Sequence, residues 1–173
     1  MATRPTSDKL RETLFNVLGP SVVDSKFVDL YAGSGAVGIE AISRGAEFVW
    51  FAENAPPAVA AIQANLRALK IAGGYALEDR SVAKLLESLA KNARAEVDVV
   101  FLDPPYEAAE EYKRTMEFLG RHAAEMLVED AVVIAEHARK SGLAEAYGEL
   151  KRVRVLEQGD GALSFYRRES ITR

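Results

Sequence analysis

Four consecutive residues, Asp103-Pro104-Pro105-Tyr106, set a carboxylate, two adjacent prolines and an aromatic ring directly after the apolar run Val97 to Leu102. Proline locks φ and carries no amide hydrogen, so two in a row stiffen the chain and leave carbonyl acceptors that are expected to point outward. Such a loop suits one kind of reactant. The exocyclic amino group of a nucleic-acid base is a poor nucleophile, because its lone pair is delocalised into the ring. The Asp103 carboxylate and the Pro104 carbonyl would accept both of its N–H bonds and hold the nitrogen with its lone pair aimed at an incoming methyl. Asp103 would act by orientation rather than proton abstraction, since an ordinary aspartate is a weak base. Tyr106 would stack on the base, a contact worth ~1–3 kcal/mol in single-stranded nucleic-acid binding, and would partly offset the cost of flipping it out of a helix. The plain alternative is a proline-rich strand exit with a surface tyrosine.

A second constellation lies upstream. Gly33-x-Gly35-x-x-Gly38 follows the short apolar strand Phe27 to Tyr31 and precedes a helix, with Glu53 at 18 residues past Gly35. This spacing fits a nucleotide-binding turn followed by a ribose-binding acid, and it equally fits a tight turn whose glycines serve close helix packing. Asp29, four residues before Gly33, bears on the ligand. Its carboxylate would repel a pyrophosphate, whereas S-adenosylmethionine brings an ammonium and a sulfonium that it would favour. An aspartate that only bonds local backbone amides is the other reading. Glu53 can accept from two ribose hydroxyls, a demand that NAD and S-adenosylmethionine share. Ser81 is either a partner for the adenine edge or a helix N-cap. Ala32, Asn54 and Asp103 complete the candidate cofactor contacts.

To bring both loops to one edge, the chain must alternate strand and helix. The pattern predicts a helix after the cap candidates Thr6-Ser7-Asp8, carried by Leu10, Leu14, Val17 and Leu18 and stopped by Gly19-Pro20. Strands follow at Phe27–Tyr31, Phe48–Ala52, Tyr75–Leu77, Val97–Leu102 and Ala131–Glu136, with helices at Val37–Arg44, Pro56–Leu69, Val82–Lys91, Glu110–Met126 and Lys140–Tyr147 between and after them. Trp50 and Phe51 read as core. A hairpin closes the chain, with Arg152–Leu156 and Ala162–Tyr166 flanking Gln158-Gly159-Asp160-Gly161. The alternation implies a Rossmann-like α/β fold with helices on both faces, and it puts the glycine turn and the proline loop at the same sheet edge.

Composition narrows the rest. At 173 residues and 49% hydrophobic, the chain has material for one compact domain over 1–173, opening with a helical segment over 1–20, and no room for a second. It has no cysteine, which excludes disulfides and thiolate zinc sites, and His122 and His137 lie on separate elements, so no metal is expected. No apolar run approaches the ~20 residues that span a bilayer, and the first residues lack the apolar centre of a signal peptide. A cytoplasmic protein without a membrane partner is expected. A net charge of −4 argues against nonspecific coating of nucleic acid. Arg44, Lys113 and Arg114 read as ordinary surface cations.

Taken together, Arg4-Pro5-Thr6, Arg11-Glu12-Thr13-Leu14-Phe15-Asn16, Asp29 through Ala41, Ser43-Arg44-Gly45-Ala46 and Asp103-Pro104-Pro105-Tyr106 resemble the RsmD family of bacterial 16S rRNA guanine-N2 methyltransferases, over Arg4 to Tyr166. The resemblance implies a class I S-adenosylmethionine-dependent fold with a seven-stranded, mostly parallel sheet whose last strand is antiparallel. It implies cofactor contacts at Asp29, Gly33, Gly35 and Glu53 and catalysis by the Asp103 loop. The implied substrate is 16S rRNA, in a small-subunit ribosomal particle, and the implied product is N2-methylguanosine. Arg4, Thr6, Arg11 and Tyr106 become candidate substrate contacts, with Arg11 on a helix that the family places beside the cleft. Two departures stand out. Family members usually begin with a basic β-hairpin that this chain is expected to lack, and with it part of the grip on RNA. The adenine-binding position, often Asp or Asn, reads Asp79-Arg80-Ser81 here. An adenine-N6 or DNA methyltransferase would share nearly every motif. A NAD-dependent oxidoreductase is opposed by Asp29 and by the lack of a hydride-site histidine or Tyr-x-x-x-Lys pair, and a noncatalytic cofactor-binding subunit is opposed by the intact proline loop.

Overall fold

The computed structural model describes residues 8–92 and 94–169, so Arg4, Thr6 and the cap candidate Ser7 lie outside the described residues. Helix α1 spans Asp8–Leu18 and buries Leu10, Leu14, Phe15 and Leu18, one stripe at helical spacing. A 3-10 turn at Gly19–Val22 leads to β1 (Lys26–Leu30), α2 (Ala36–Ser43), β2 (Phe48–Ala52), α3 (Pro56–Ala68), β3 (Tyr75–Glu78), α4 (Val82–Lys91) and β4 (Val97–Leu102). The chain continues through α5 (Ala109–Arg121), the single turn α6 (Ala123–Met126), β5 (Leu127–Ala138), β6 (Ala146–Tyr147), β7 (Leu150–Gln158) and β8 (Gly161–Arg168).

All strands join one sheet in the order β3-β2-β1-β4-β5-β8-β7-β6. The first five are mutually parallel, and β8 runs antiparallel beside β5. Period-two alternation along the buried strands feeds two cores. Phe27, Val49, Phe51, Val99, Phe101 and Ile134 face α1, α2 and α3, while Val28, Leu30, Val100, Leu102 and Val133 face α4, α5 and α6.

Three expectations are corrected. The sheet has eight strands, not seven, because β6 adds a two-residue edge pair to β7. That pair lies where the helix Lys140–Tyr147 was expected. There the backbone of Ala144 is taken up by tyrosines: its N–H donates to the Tyr147 hydroxyl at 3.0 Å and its carbonyl accepts from the Tyr166 hydroxyl at 2.7 Å. Tertiary partners thus outcompete a short helix interrupted by Gly142. The helix expected over Glu110–Met126 breaks at His122, giving α5 and α6. Just before the break, Gly120 meets Gly148 and the Tyr147 carbonyl so closely that a Cβ on either glycine would collide with the other segment's backbone.

Candidate active site

Register makes the site. Leu30 pairs with both Ala52 and Leu102, and Leu102 pairs with Ala135, so β2, β1 and β4 end level beside Ala135 of β5, which runs on to Ala138 against β8. The residues one step beyond, Tyr31, Glu53, Asp103 and Glu136, form a row along the carboxyl edge of the sheet. The ladder extends into the row: Ala32 N–H donates to the Ala52 carbonyl at 3.0 Å, and Asp103 N–H donates to the Leu30 carbonyl at 3.3 Å. The glycine turn and the proline loop are therefore neighbours because β1 and β4 are neighbours.

The glycine turn is held by carboxylates. Gly35 caps α2 at φ 82°, a left-handed conformation that a side chain disfavours. Gly38 has no room for a Cβ, which would sit inside the envelope of the Phe51 ring, so α2 approaches β2 only because residue 38 is glycine. Glu53 accepts from Gly33 N–H at 2.8 Å through Oε1 and from Ala55 N–H at 3.0 Å through Oε2. Each carboxylate oxygen has a further lone pair, so Glu53 is pinned in orientation and still able to accept from a ligand.

Asp29 is only 1% exposed, and its Oδ2 accepts from Gly38 N–H at 2.9 Å. Burial pushes its carboxyl up to about 8, against the Gly38 amide, with repulsion from Glu53 adding to the rise. Near neutral pH this group is largely protonated. The charge argument against a pyrophosphate therefore loses its strength, and what the geometry displays at Asp29 is a brace behind the turn.

Between the strand ends and α5 lies a cleft of about 240 Å³, lined by Tyr31, Glu53, Asn54, Ser81, Val82 and Phe118 among others. That is below the ~300–1,000 Å³ of sites that enclose whole drug-sized ligands, so the cleft suits a nucleoside portion with the remainder along the open loops. The structure thus brings Glu53, Asn54 and Ser81 together. Ser81 is the N-cap of α4, its Oγ accepting from Lys84 N–H at 3.1 Å, and it also lines the cleft. Ala32, Gly33, Gly35 and Asp103 sit on the adjoining loops rather than in the lining.

The sequence reading missed the far wall. Glu111, Thr115 and Phe118 stand on one face of α5, at the spacing of successive turns. Tyr31, at φ 59°, turns its hydroxyl to donate to Glu111 Oε2 at 2.9 Å and lies 2.7 Å from Thr115 Oγ1. The α5 periodicity was a usable signal; nothing in the sequence marked Tyr31.

On the proline loop, Pro104 is buried and its carbonyl accepts from the Tyr112 hydroxyl at 3.1 Å. The expectation that the loop carbonyls are simply left outward is thus corrected at Pro104, where one lone pair is already engaged. Tyr106 is half-buried and donates to Glu136 Oε2 at 3.4 Å, which fixes its ring beside the loop. Arg11 is not brought to the cleft. Its Nε lies 3.1 Å from Glu40 Oε1, and it lines a separate open groove with Ile39, Arg44, Asn65 and Leu69. Among the described residues, no cluster of three or more His, Asp and Glu side chains could hold a metal ion, and no helix is long and apolar enough to cross a membrane.

Comparison with known proteins places this architecture. The family model described as "Conserved hypothetical protein 95" matches residues 1–167. The Bacillus subtilis (strain 168) protein YlbH, described as a candidate rRNA methyltransferase, is 33% identical over 167 residues, covering 96% of this chain and 89% of its own. The Escherichia coli (strain K12) "Ribosomal RNA small subunit methyltransferase D" is 31% identical over 169 residues, with coverage of 96% and 80%. Among solved structures, the E. coli protein yhhF, described as a candidate methyltransferase, superposes with a TM-score of 0.81 at 29% identity, covering 98% of this chain and 92% of its own. An RNA methyltransferase from Salinibacter ruber in complex with S-adenosyl-L-homocysteine shares the fold, with a TM-score of 0.66 at 14% identity and coverage of 98% and 97%. With its parallel sheet, glycine turn and Asp-Pro-Pro-Tyr loop aligned along one edge, the chain belongs to the conserved hypothetical 95 family, the family of RsmD.

Proposed function

We propose that the protein is an S-adenosylmethionine-dependent rRNA methyltransferase that modifies the exocyclic N2 amino group of a guanine in 16S rRNA, within a small-subunit ribosomal particle. The observation that carries this reading is the register of β2, β1 and β4. It sets an anchored carboxylate over a nucleoside-sized cleft, two strands from a carboxylate–carbonyl pair on a rigid loop. The names of the 31–33% identical relatives support the RNA substrate.

The cleft fits the cofactor's nucleoside end. Glu53 would accept from the ribose hydroxyls, Asn54 and Ser81 would reach the base, and Val82 and Phe118 offer apolar faces for it. The glycine turn at Ala32, Gly33 and Gly35, braced by Asp29, would leave room for the remainder. When bound, S-adenosylmethionine supplies an electrophilic methyl group. The chain's own residues do the rest by positioning. Asp103 and Pro104 would accept the two N–H bonds of the amine, and Tyr106 would stack on the guanine, with Arg4, Thr6 and Arg11 offered as RNA contacts. No general base is required, because the proton can leave to water after transfer. Residues 1–173 act in this reading as one domain, without metal or membrane. A ribosomal substrate puts the work in the cytoplasm.

Tritiated methyl transfer to naked 16S rRNA, small-subunit particles and DNA, followed by nucleoside identification, tests the proposal. N2-methylguanosine in rRNA is expected. N6-methyladenosine, or label only in DNA, overturns it in favour of the adenine-directed alternative.

A further inference from the structure

Tyr112 lies on α5, outside every sequence motif, and is 3% exposed. A buried tyrosine ring needs no explanation on a helix whose residues 112, 116 and 119 face the core. Its hydroxyl does. Instead of reaching solvent, the oxygen lies 2.7 Å from the Glu136 carbonyl and 3.1 Å from the Pro104 carbonyl. Glu136 follows Ala135, the last residue of β5 that pairs with β4, so this one hydroxyl ties the proline loop to the adjacent strand. The same Glu136 accepts from the Tyr106 hydroxyl through its side chain, so both aromatic residues flanking the loop converge on one residue of β5.

We infer that Tyr112 is a positioning residue for methyl transfer, whose hydroxyl fixes the direction of the Pro104 carbonyl so that its second lone pair faces the substrate amine. The inference rests on the reading of the Asp103 loop as the amine-orienting element. A hydroxyl has one proton and a carbonyl oxygen two lone pairs. The proton is shared by two carbonyls, with the shorter contact to β5 serving as the anchor and the longer one leaving Pro104 able to accept again. Proline fixes φ, and the following Pro105 holds ψ of Pro104 in the extended region, but that region is roughly 40° wide, and ψ within it sets where the carbonyl points. Two consecutive prolines therefore do not aim this acceptor unaided. The tyrosine hydroxyl supplies the constraint that the ring chemistry of proline cannot.

The test compares Tyr112→Phe, Tyr112→Leu and Asp103→Ala in methyl transfer to small-subunit particles, with cofactor affinity by titration calorimetry and Tm measured on each. Tyr112→Phe keeps the packed ring and removes only the hydroxyl. It is expected to lower kcat by roughly 10- to 100-fold, the cost of a misaimed reacting group, with KM for the particle and affinity for S-adenosylmethionine unchanged. Tyr112→Leu should be little worse in kcat than Tyr112→Phe. A Phe variant with wild-type kcat, or one that loses cofactor binding along with activity, overturns the inference, the second by assigning the hydroxyl a merely structural role. If Asp103→Ala stays active, the underlying reading of the loop fails instead, and the two failures are told apart.

Discussion

The two loops at the sheet edge are built on opposite principles. After β1 the chain turns on glycines, whose freedom lets amides point into the turn, and carboxyl groups hold it: Asp29 takes the Gly38 amide and Glu53 takes those of Gly33 and Ala55. After β4 the chain turns on prolines, which have no amides to offer, and a hydroxyl holds it by donating to the Pro104 carbonyl. One loop consumes donors and the other acceptors. In the proposed reaction, conformational freedom would suit the loop that wraps the cofactor, and rigidity the loop that aims two acceptors at one nitrogen.

The largest break in this comparison is expected at Asp103. Asp103→Ala removes a preorganised partner of the reacting group, and kcat/KM in the tritium-transfer assay should fall by ~10²–10³, while affinity for S-adenosylmethionine holds. Glu53→Ala should invert that result. It releases two charge-assisted amide bonds and a ribose acceptor, so the cofactor Kd from calorimetry should rise by ~10- to 100-fold, with kcat at saturating cofactor less affected.

Gly38→Ala probes packing rather than binding. The added methyl meets the Phe51 ring, and urea unfolding should report a loss of ~1–3 kcal/mol. The remaining effect is on pH. The Asp29 carboxyl sits at about 8 in the fold against 3.8 ordinarily, so the folded state holds its proton more tightly than the unfolded chain. Its contribution to stability is full below pH ~4 and is lost as pH rises through ~8. Asp29→Asn should keep the Gly38 bond and flatten the decline in urea midpoint between pH 5 and 8; a slope equal to that of the wild type removes Asp29 as its source.

Much of this was legible in the residues. Val97–Leu102 and Val82–Lys91 read correctly to the residue, because a buried parallel strand and a serine-capped amphipathic helix each carry strong local signals. The glycine turn, Glu53 and Ser81 were legible for the same reason. Lys140–Tyr147 was not, since the Ala144 carbonyl within it is claimed by Tyr166, 22 residues on, and no local pattern records that. Asp29 left two readings open, and its bond to the Gly38 amide could not be read from the sequence alone. Arg11 looked available on its helix until Glu40, 29 residues on, was seen to hold it. Tyr112 carried no mark in the sequence, because spacing reports where a ring goes and is silent about its oxygen.

The contact of Gly120 with Gly148 gives α5 a mechanical role. Near its first turns, the helix is fastened through Tyr31 and Tyr112 to the residues that follow β1 and β4 and to Glu136 within β5; at its far end it is clamped, backbone to backbone, onto the segment leading into β7. A beam supported at both ends can bow but cannot tilt. The turn between β6 and β7, outside the cleft, thereby helps to set the slope of the wall against which the nucleoside would rest.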